Sequence, residues 1–298
     1  MDNRVLKFDE ASSVLPEAIR ADALFLPDDV KADAEEFRLR CGRQPTVLLP
    51  QGERTFCRVT VTQTALEEAV SLASSSSRHS VGESVRSGFV TASGGHRVGI
   101  CGTAVVRSGK IESIRNVSSV CIRIARELPG ISEPFLDQLC DSRGMPLGTL
   151  IISPPGDGKT TLLRDLVRAF SSRGVRTSVI DERSEIAAVS RGEPQFDVGP
   201  CTDVLELAPR AEAVASALRS MSPRLLALDE ICTQTDSEAV AAAVGSGVSV
   251  FATAHAPSLD ELIKRGALRG ILESGAFARC VTVKNESGKR SYEIEEIR

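Results

Sequence analysis

Residues 153–161 read SPPGDGKTT, and this stretch decides the fold of the chain. It follows a short apolar run, residues 147–152, that is typical of a buried strand, and it precedes residues 162–170, whose apolar side chains recur at helical spacing. A strand, a glycine-rich loop and a helix N-terminus in that order present free backbone N–H groups to an anion. The pattern therefore predicts a phosphate-binding loop for ATP or GTP.

Each part of this loop has an expected role. We expect Lys159 to be a solvent-facing charge that reaches the β- and γ-phosphates, and Thr160 to supply the hydroxyl ligand of Mg²⁺. Gly156 and Gly158 let the backbone wrap the phosphate with no Cβ in the way. Ser153 stands where the consensus has glycine, but a small residue leaves the anion site intact. The predicted nucleotide-binding residues are Ser153, Pro154, Pro155, Gly156, Asp157, Gly158, Lys159, Thr160 and Thr161.

Composition argues against a nucleic-acid-binding protein. The net charge of -4 and the sequence pI of about 5.6 create no overall positive field that would attract DNA or an anionic membrane. Tryptophan is absent and aromatic residues make up 4% of the chain, which leaves few platforms on which single-stranded bases could stack. We therefore see no strong nucleic-acid signal.

The cysteines and the apolar runs bear on the cellular compartment. Eight cysteines occur without a CxxC pattern or a histidine at metal spacing, which favours buried thiols in a reducing cytoplasm over zinc or disulfides. The charged N-terminal stretch lacks the apolar core of a signal peptide. The longest uncharged run, residues 239–254, is shorter than the roughly 20 residues of a membrane-spanning helix. We expect a cytoplasmic protein with no membrane span of its own.

The chain length of 298 residues and the turn residues at positions 129–130 and 146–148 favour two domains. We predict an N-terminal domain over residues 1–128, a linker over 129–146 and a second domain over 147–298. In the first domain, residues 37–41 alternate apolar and charged side chains and lead through a turn into another apolar run, as in a β-hairpin. In the second, strands alternate with helices, which implies a parallel sheet. The predicted fold class is α/β, preceded by a smaller α+β domain with a mostly antiparallel sheet.

A second motif, residues 224–230 (RLLALDE), is an apolar strand that ends in two carboxylates. It has the form of a Walker B strand, in which Asp229 would hold Mg²⁺ and Glu230 would orient and deprotonate the attacking water. Such a strand end is weak on its own, but roughly seventy residues after a phosphate loop it becomes a strong indication. The two motifs together predict a catalytic nucleotide site.

Two further strand ends point toward the same site. Residues 175–181 form an apolar strand that runs into the acidic cluster 181–185, and residues 248–254 form another that ends at His255. Ligands collect at the carboxyl ends of parallel strands, so Glu182 or Glu185 could position water or Mg²⁺, and His255 could sense the γ-phosphate. The alternatives are carboxylates that are simply solvated and a histidine with an ordinary structural role.

The order of these motifs behind an α+β domain resembles the secretion and traffic ATPases, which include the type II and type IV secretion motors. Longer segments resemble, within that group, the stage III sporulation protein AA family, over roughly residues 35–262. Three positions depart from that family, which has a basic residue or glycines where this chain has Cys201, Cys232 and Ala256. The segments that carry the resemblance are FRLRCGRQP, GGHRVGICGTAV, IRIARE, PPGDGKTTLLRDL, VIDERSEIA, TDVLE, RSMSPRLLALDEI and FATAHA.

The resemblance implies a RecA-like P-loop ATPase domain that uses ATP and Mg²⁺. It also implies a homohexamer in the mother-cell cytoplasm, peripheral at the inner face of the membrane. Its partners would be membrane proteins of a sporulation channel between mother cell and forespore. Arg123 and Arg126, which we expect on a strand of the first domain, stand where related motors bring basic residues to a nucleotide.

Two other functions fit the same motifs. One is a RecA-like ATPase stimulated by nucleic acid, since motors of this type also translocate DNA or RNA. The other is a nucleotide-gated scaffold that binds ATP and hardly turns it over. Glu230 argues against the scaffold, because such a protein has no need of a carboxylate that positions water.

Overall fold

The chain forms two compact units in the computed structural model, which describes residues 2–75, 89–264, 266, 268–286 and 289–297. The first unit comprises Met1–Arg126 and Val189–Gln195, and the second comprises Glu127–Ala188 and Phe196–Arg298. Residues 129–146, expected to link the two domains, lie within the second unit.

The first unit is built on a six-stranded sheet with the order β3-β2-β1-β6-β5-β4, in which every neighbouring pair is antiparallel. In β1 the side chains of Phe37 and Leu39 are buried, while Arg38 and Arg40 on either side of Leu39 are partly exposed, as the alternating sequence predicts. The elements are α1 (Asn3–Ser12), α2 (Glu17–Leu24), α3 (Asp28–Asp33), β1 (Glu36–Arg40), β2 (Thr46–Leu49), β3 (Gly52–Thr55), α4 (Gln63–Ser75), β4 (Phe89–Thr91), a 3-10 turn (Ser93–Gly95), β5 (Arg97–Arg107) and β6 (Lys110–Arg123).

The second unit is built on a seven-stranded sheet with the order β13-β12-β7-β11-β10-β8-β9. All neighbouring strands are parallel except β12 and β13, which form an antiparallel hairpin. The elements are a 3-10 helix (Glu133–Leu139), β7 (Thr149–Ser153), α5 (Lys159–Ser172), β8 (Thr177–Asp181), β9 (Thr202–Glu206), α6 (Arg210–Ser220), β10 (Leu225–Leu228), α7 (Gln234–Gly245), β11 (Ser249–His255), α8 (Leu259–Lys264), α9 (Arg269–Glu273), β12 (Arg279–Glu286) and β13 (Lys289–Glu296).

The central strands of this sheet are buried over their whole length, which explains why they read as continuous apolar runs rather than alternating ones. Helix α5 follows β7 and buries Leu162, Leu166 and Phe170, as its periodicity predicts. Because β7, β11, β10 and β8 are adjacent and parallel, their carboxyl ends meet at one edge. In register, His255 lies opposite Ser153. The sheet therefore brings the sequence motifs of four separate segments to one place.

The burial expected for the cysteines was wrong in detail. The cysteines are not uniformly buried, since Cys57 and Cys280 are buried but Cys41, Cys101 and Cys232 are exposed. Spacing alone could show only that no metal or disulfide pattern is present, not how each thiol packs. Within the described residues, no helix has the length and apolar character needed to cross a membrane.

Candidate nucleotide site

The loop between β7 and α5 has the backbone shape of an anion cradle. Gly156 has a φ of 88° and Gly158 a φ of 103°, both in the left-handed region that other residues rarely adopt. Gly158 is the N-cap of α5, so the helix begins directly at Lys159. The loop thus leads into the positive end of a fourteen-residue helix, which is where a phosphate binds.

Lys159 is buried, in contrast to the solvent-facing charge that we expected. Its ammonium Nζ donates to the backbone carbonyl oxygens of Ser153 at 3.0 Å and Pro154 at 2.9 Å, and to Ser153 Oγ at 3.2 Å. Burial lowers the pKa of Lys159, and the nearby charges of Asp229 and Glu230 oppose that shift. The physical reason for the error is that the loop folds back over the first helical residue, which a motif alone does not reveal.

Asp229 lies at the centre of a set of short polar contacts. Its Oδ2 accepts a hydrogen bond from Thr160 Oγ1 at 2.9 Å, and its Oδ1 accepts one from Thr253 Oγ1 at 2.5 Å. The carboxylate is 7% exposed, and burial raises its pKa above the ordinary value, although the two hydroxyl donors lower it in part. The sheet thus places the two predicted Mg²⁺ ligands, Thr160 and Asp229, side by side.

These residues fit a Mg²⁺ ion bound together with a nucleotide. The described residues contain no cluster of three or more histidine, cysteine or acidic side chains that could hold a metal by themselves. Mg²⁺ in phosphate sites does not need one, because it keeps several waters and takes the remaining ligands from one or two protein oxygens and the substrate. A buried carboxylate whose pKa is raised by desolvation gains directly from a neighbouring cation.

Glu230 follows Asp229 just beyond β10 and takes a left-handed backbone conformation, with a φ of 52°. Its Oε1 lies 3.1 Å from Nε2 of His255, and its Oε2 accepts from the guanidinium of Arg183. The backbone N–H of Glu230 donates to Thr253 Oγ1 at 2.8 Å. The carboxylate is therefore held at the sheet edge by groups from two neighbouring strand ends, which is the neighbourhood predicted for His255.

The acidic cluster after β8 divides into structural and available groups. The carboxylate of Asp181 is buried and accepts the backbone N–H groups of Glu185, Ile186 and Ala187 at 2.8 to 3.0 Å, so it shapes the turn. Glu182 is exposed and accepts from Arg210 at 3.0 Å. Glu185 is partly exposed, and its charge contributes to the raised pKa of Asp229.

Helix α5 also anchors the segments around the site. Arg164 is buried, donates to the backbone carbonyl oxygens of Glu185 and Ile186 at 2.6 Å, and stacks 3.8 Å from the ring centroid of Phe196. Burial lowers the pKa of Arg164 to about 10. The helix that follows the phosphate loop is therefore tied directly to the turn that carries Glu185.

The two arginines predicted to assist the site lie in the first unit. Arg123 is the last residue of β6, is 67% exposed, and has Nε 3.8 Å from Oε1 of Glu36. Arg126 lies beyond the end of the strand, which corrects our expectation that both lie on it, and it donates to the backbone carbonyl of Ala34. Burial lowers the pKa of Arg126.

Sequence reasoning missed four residues of the site. Arg183 and Arg210 contact the acidic strand end (Asp229 and Glu230), and Thr253 donates to Asp229. Arg290, from β13, donates to the backbone carbonyl of Asp157 at 3.0 Å and lies against Gly158. Two signals were available: Thr253 interrupts an apolar strand, and Arg210 places a positive charge at a helix N-terminus, where it is electrostatically unfavourable. No sequence signal indicated Arg290, because it lies 133 positions from Asp157 in the chain.

The family follows from comparison with known proteins. The family model described as "Sporulation stage III, protein AA" matches residues 9–296. This chain belongs to that family. Within it, stage III sporulation protein AA of Bacillus subtilis (strain 168) is 39% identical over 285 residues, which cover 94% of this chain and 92% of the relative. A more distant relative is protein SEEDLING PLASTID DEVELOPMENT 1 of Arabidopsis thaliana, 26% identical over 96% of this chain but only 38% of its own length.

Solved structures with the same fold come from secretion and pilus ATPases. The Legionella pneumophila ATPase DotB matches with a TM-score of 0.60 and 15% identity, over 94% of this chain and 81% of that one. The pilus retraction motor PilT with bound ADP matches with a TM-score of 0.59 and 17% identity, over 89% of this chain and 80% of that one. At these identities the likeness shows the fold alone. It confirms the predicted architecture, an α/β domain with a mostly parallel sheet preceded by a smaller α+β domain with an antiparallel sheet.

Proposed function

We propose that this chain hydrolyses ATP to ADP and phosphate, and that it is the motor of a sporulation-specific secretion or channel complex between mother cell and forespore. The observation that carries the proposal is the 2.9 Å contact of the Thr160 hydroxyl with Asp229, next to the phosphate loop and to Glu230. A phosphate-binding loop alone would support binding of ATP. The carboxylate of Glu230 next to that loop supports hydrolysis as well, because it can position water.

Binding begins at the phosphate loop. The backbone of residues 156–160 wraps the phosphates at the N-terminus of α5, where N–H groups and the helix dipole favour an anion. Lys159 exchanges its contacts with the carbonyl oxygens of Ser153 and Pro154 for phosphate oxygens. A charge-assisted contact of this kind is stronger than one to a neutral carbonyl, which makes the exchange favourable.

The Thr160 hydroxyl and the Asp229 carboxylate would hold Mg²⁺. When bound, the ion neutralises the charge that develops on the phosphates during transfer. Thr253 keeps the Asp229 carboxylate oriented through its hydroxyl. Asp229 is thus held from two sides before any ligand arrives, which reduces the reorganisation needed during reaction.

Glu230 serves as the base. Its carboxylate accepts the proton of a water as the water attacks the γ-phosphorus in line, and the bond to the bridging oxygen of ADP breaks. Arg183 and His255 contact the same carboxylate, so they fix its direction and hold its charge. Glu182 and Glu185 are the next carboxylates along the sheet edge and could share the task.

The assembly belongs to the same proposal. We infer a homohexamer in the mother-cell cytoplasm, peripheral at the inner face of the membrane and bound to membrane proteins of the channel. An arginine from the segment of Arg123 and Arg126 would stabilise phosphate charge in the ring. Membership of a sporulation family and a fold shared with secretion ATPases support this setting.

The experiment is a steady-state nucleotide hydrolysis assay on the purified chain. Release of phosphate from ATP, lost when Mg²⁺ is chelated and unchanged by single-stranded DNA or RNA, is the expected result. Stimulation by nucleic acid of more than about tenfold would favour a nucleic-acid translocase. Tight binding of ATP without turnover, also in the presence of channel membrane proteins, would favour a scaffold and contradict the proposal.

A further inference from the structure

Arg210, the first residue of α6, is buried against the backbone of the acidic strand end. Its side chain is only 10% exposed. Nη2 donates to the carbonyl oxygen of Asp229 at 2.7 Å, and Nη1 donates to that of Glu230 at 3.3 Å. One guanidinium thus binds two successive carbonyl groups at the point where β10 ends.

The same guanidinium joins two carboxylates from other segments. Nη2 lies 3.0 Å from Glu182 Oε2, and Nη1 lies 2.6 Å from Asp236 Oδ1. Asp236 also accepts the backbone N–H groups of Cys232 and Thr233, and so caps α7. Arg210 therefore connects the segment after β8, the end of β10 and the start of α7.

The helix itself gains little from this arginine. A positive charge in the first turn opposes the helix dipole, and burying a guanidinium removes it from water. Within the described part of the chain, Nε of Arg210 has no hydrogen-bond partner. A solvated arginine at this position would avoid the penalty of burial, so the contacts at the strand end are what its burial serves.

Those contacts act on a strained piece of backbone. Glu230 has a φ of 52°, a conformation that costs a non-glycine residue about 1 kcal/mol or more and persists only where the surroundings hold it. Its N–H is fixed by Thr253 and its carbonyl by Arg210. Fixing both groups sets the direction of the Cα–Cβ bond, and hence where the carboxylate points.

We propose that Arg210 is a positioning residue for hydrolysis, which holds the Asp229–Glu230 backbone so that the Glu230 carboxylate faces the attacking water. The inference rests on the proposed ATPase function. Arg210 contacts neither nucleotide nor water in this role and acts through Glu230. Its planar fork matters as much as its charge, because two carbonyls and two carboxylates are bound at fixed angles.

The test is Arg210→Lys, which keeps the charge and loses the fork. We expect kcat for ATP to fall about 10- to 100-fold, the size of effect that follows from misplacing a reacting group by about 1 Å, with KM changed less than about twofold. Arg219→Lys, at the exposed far end of the same helix, is the matched control and should keep wild-type values.

A double-mutant cycle separates positioning from general support of the fold. In a Glu230→Gln background, followed by single-turnover kinetics, Arg210→Lys should change the rate less than about twofold, because the group that it positions is already disabled. A purely structural arginine would lower the rate by the same factor in both backgrounds. Should Arg210→Lys fail to fold, Asp236→Asn, which removes the charge of another partner of the same guanidinium, is tested in the same double-mutant cycle.

The outcomes are distinguishable. Wild-type protein that does not turn over ATP overturns the proposed function, and the Arg210 inference falls with it. Active wild-type protein with full activity in Arg210→Lys, or with equal losses in both backgrounds, overturns the Arg210 inference alone. A loss of kcat confined to the background with an intact Glu230 supports it.

Discussion

The hydroxyl of Thr160 donates a 2.9 Å hydrogen bond to Oδ2 of Asp229, and so joins the first turn of α5 to the end of β10. These residues lie 69 positions apart in the chain. The contact brings the hydroxyl of the phosphate loop and the carboxylate of the acidic strand end within reach of one small cation.

Asp229→Asn should stabilise the ligand-free protein while removing its response to Mg²⁺. Burial raises the folded-state pKa of Asp229, so the ionised carboxyl disfavours folding at pH values above that raised pKa. At pH 7 in chelator, we expect the free energy of unfolding to rise by about 0.5 to 2 kcal/mol, the usual size of a stabilising substitution. Urea unfolding with and without MgATP measures both effects.

The exposed aspartate of β9 provides the control for that experiment. Asp203→Asn removes a carboxylate from a surface position of β9. It should change neither the free energy of unfolding nor the stabilisation by MgATP by more than about 0.5 kcal/mol. An Asp229→Asn protein that is less stable than wild type in chelator would show that the carboxylate is a structural group rather than a site held ready for a cation.

Lys159→Ala should weaken nucleotide binding without unfolding the protein. Among the residues that the structure describes, the ammonium hydrogen-bonds only to Ser153 and Pro154 of its own loop, so its loss breaks no hydrogen bond to a distant segment. Losing a charged hydrogen bond of about 1.5 to 3 kcal/mol corresponds to roughly 10- to 100-fold weaker binding. Calorimetric titration with a non-hydrolysable ATP analogue measures the change, with exposed Lys264→Ala as the matched control. Unchanged affinity in a folded Lys159→Ala protein would disprove the phosphate-loop assignment.

Asp165 should make stability depend on acid pH. Burial by itself raises the pKa of this carboxyl, but donors from Ser132, Gly130 and Arg168 outweigh it, and the folded pKa is lowered. Its contribution is therefore complete above the unfolded pKa of about 3.9 and is lost as the pH falls through the folded pKa.

The variant that tests this is Asp165→Asn. At pH 7 it should lose about 1.5 to 3 kcal/mol, because it removes a charged acceptor from buried donors. The difference from wild type should shrink as the pH is lowered from about 4 to 2 in urea titrations. Asp137→Asn, whose side chain is 89% exposed, should show almost no difference at any pH. If the free energies of unfolding of wild type and Asp165→Asn differed by the same amount across this pH range, the contribution of Asp165 to stability would not depend on its ionisation.

Arg123 and Arg126 should matter for activity far more than for stability. An arginine that stabilises phosphate charge in a ring is worth on the order of 10³ in rate, while an exposed ion pair such as that of Arg123 with Glu36 is worth under about 1 kcal/mol. We expect ATP to promote a ring of six subunits, measured by light scattering. Activity regained by mixing an Arg123→Ala, Arg126→Ala double mutant with Lys159→Ala would show an arginine acting across subunits. Full ATPase activity in a strictly monomeric protein would disprove the ring.

The sequence was most informative where chemistry is local. The phosphate loop with its flanking strand and helix, and the apolar strand that ends in Asp229 and Glu230, were predictable because contiguous residues determine each of them. The parallel sheet followed from the alternation of strands and helices. The convergence of four strand ends needed only the rule that ligands bind at the carboxyl ends of parallel strands.

Contacts between distant segments were not predictable. Arg290 reaches Asp157 from 133 residues away, through a hairpin whose place beside β7 no motif announces. Lys159 is buried by the backbone of its own loop, and a motif gives its identity but not its exposure. Arg210 could have been suspected from its unfavourable place at a helix N-terminus, but its four partners come from three segments that only the folded sheet brings together.

The central claim is that Glu230 performs chemistry at a site that binds MgATP without it. The most direct measurement compares wild type with Glu230→Gln for both MgATP affinity and turnover, with Glu212→Gln on the exposed first turn of α6 as the control. We expect MgATP affinity within a few-fold of wild type and turnover lower by about 10²- to 10⁴-fold, since a positioned base is neutralised. Equal turnover in Glu230→Gln and wild type would contradict this claim and move the role of base to Glu182 or Glu185.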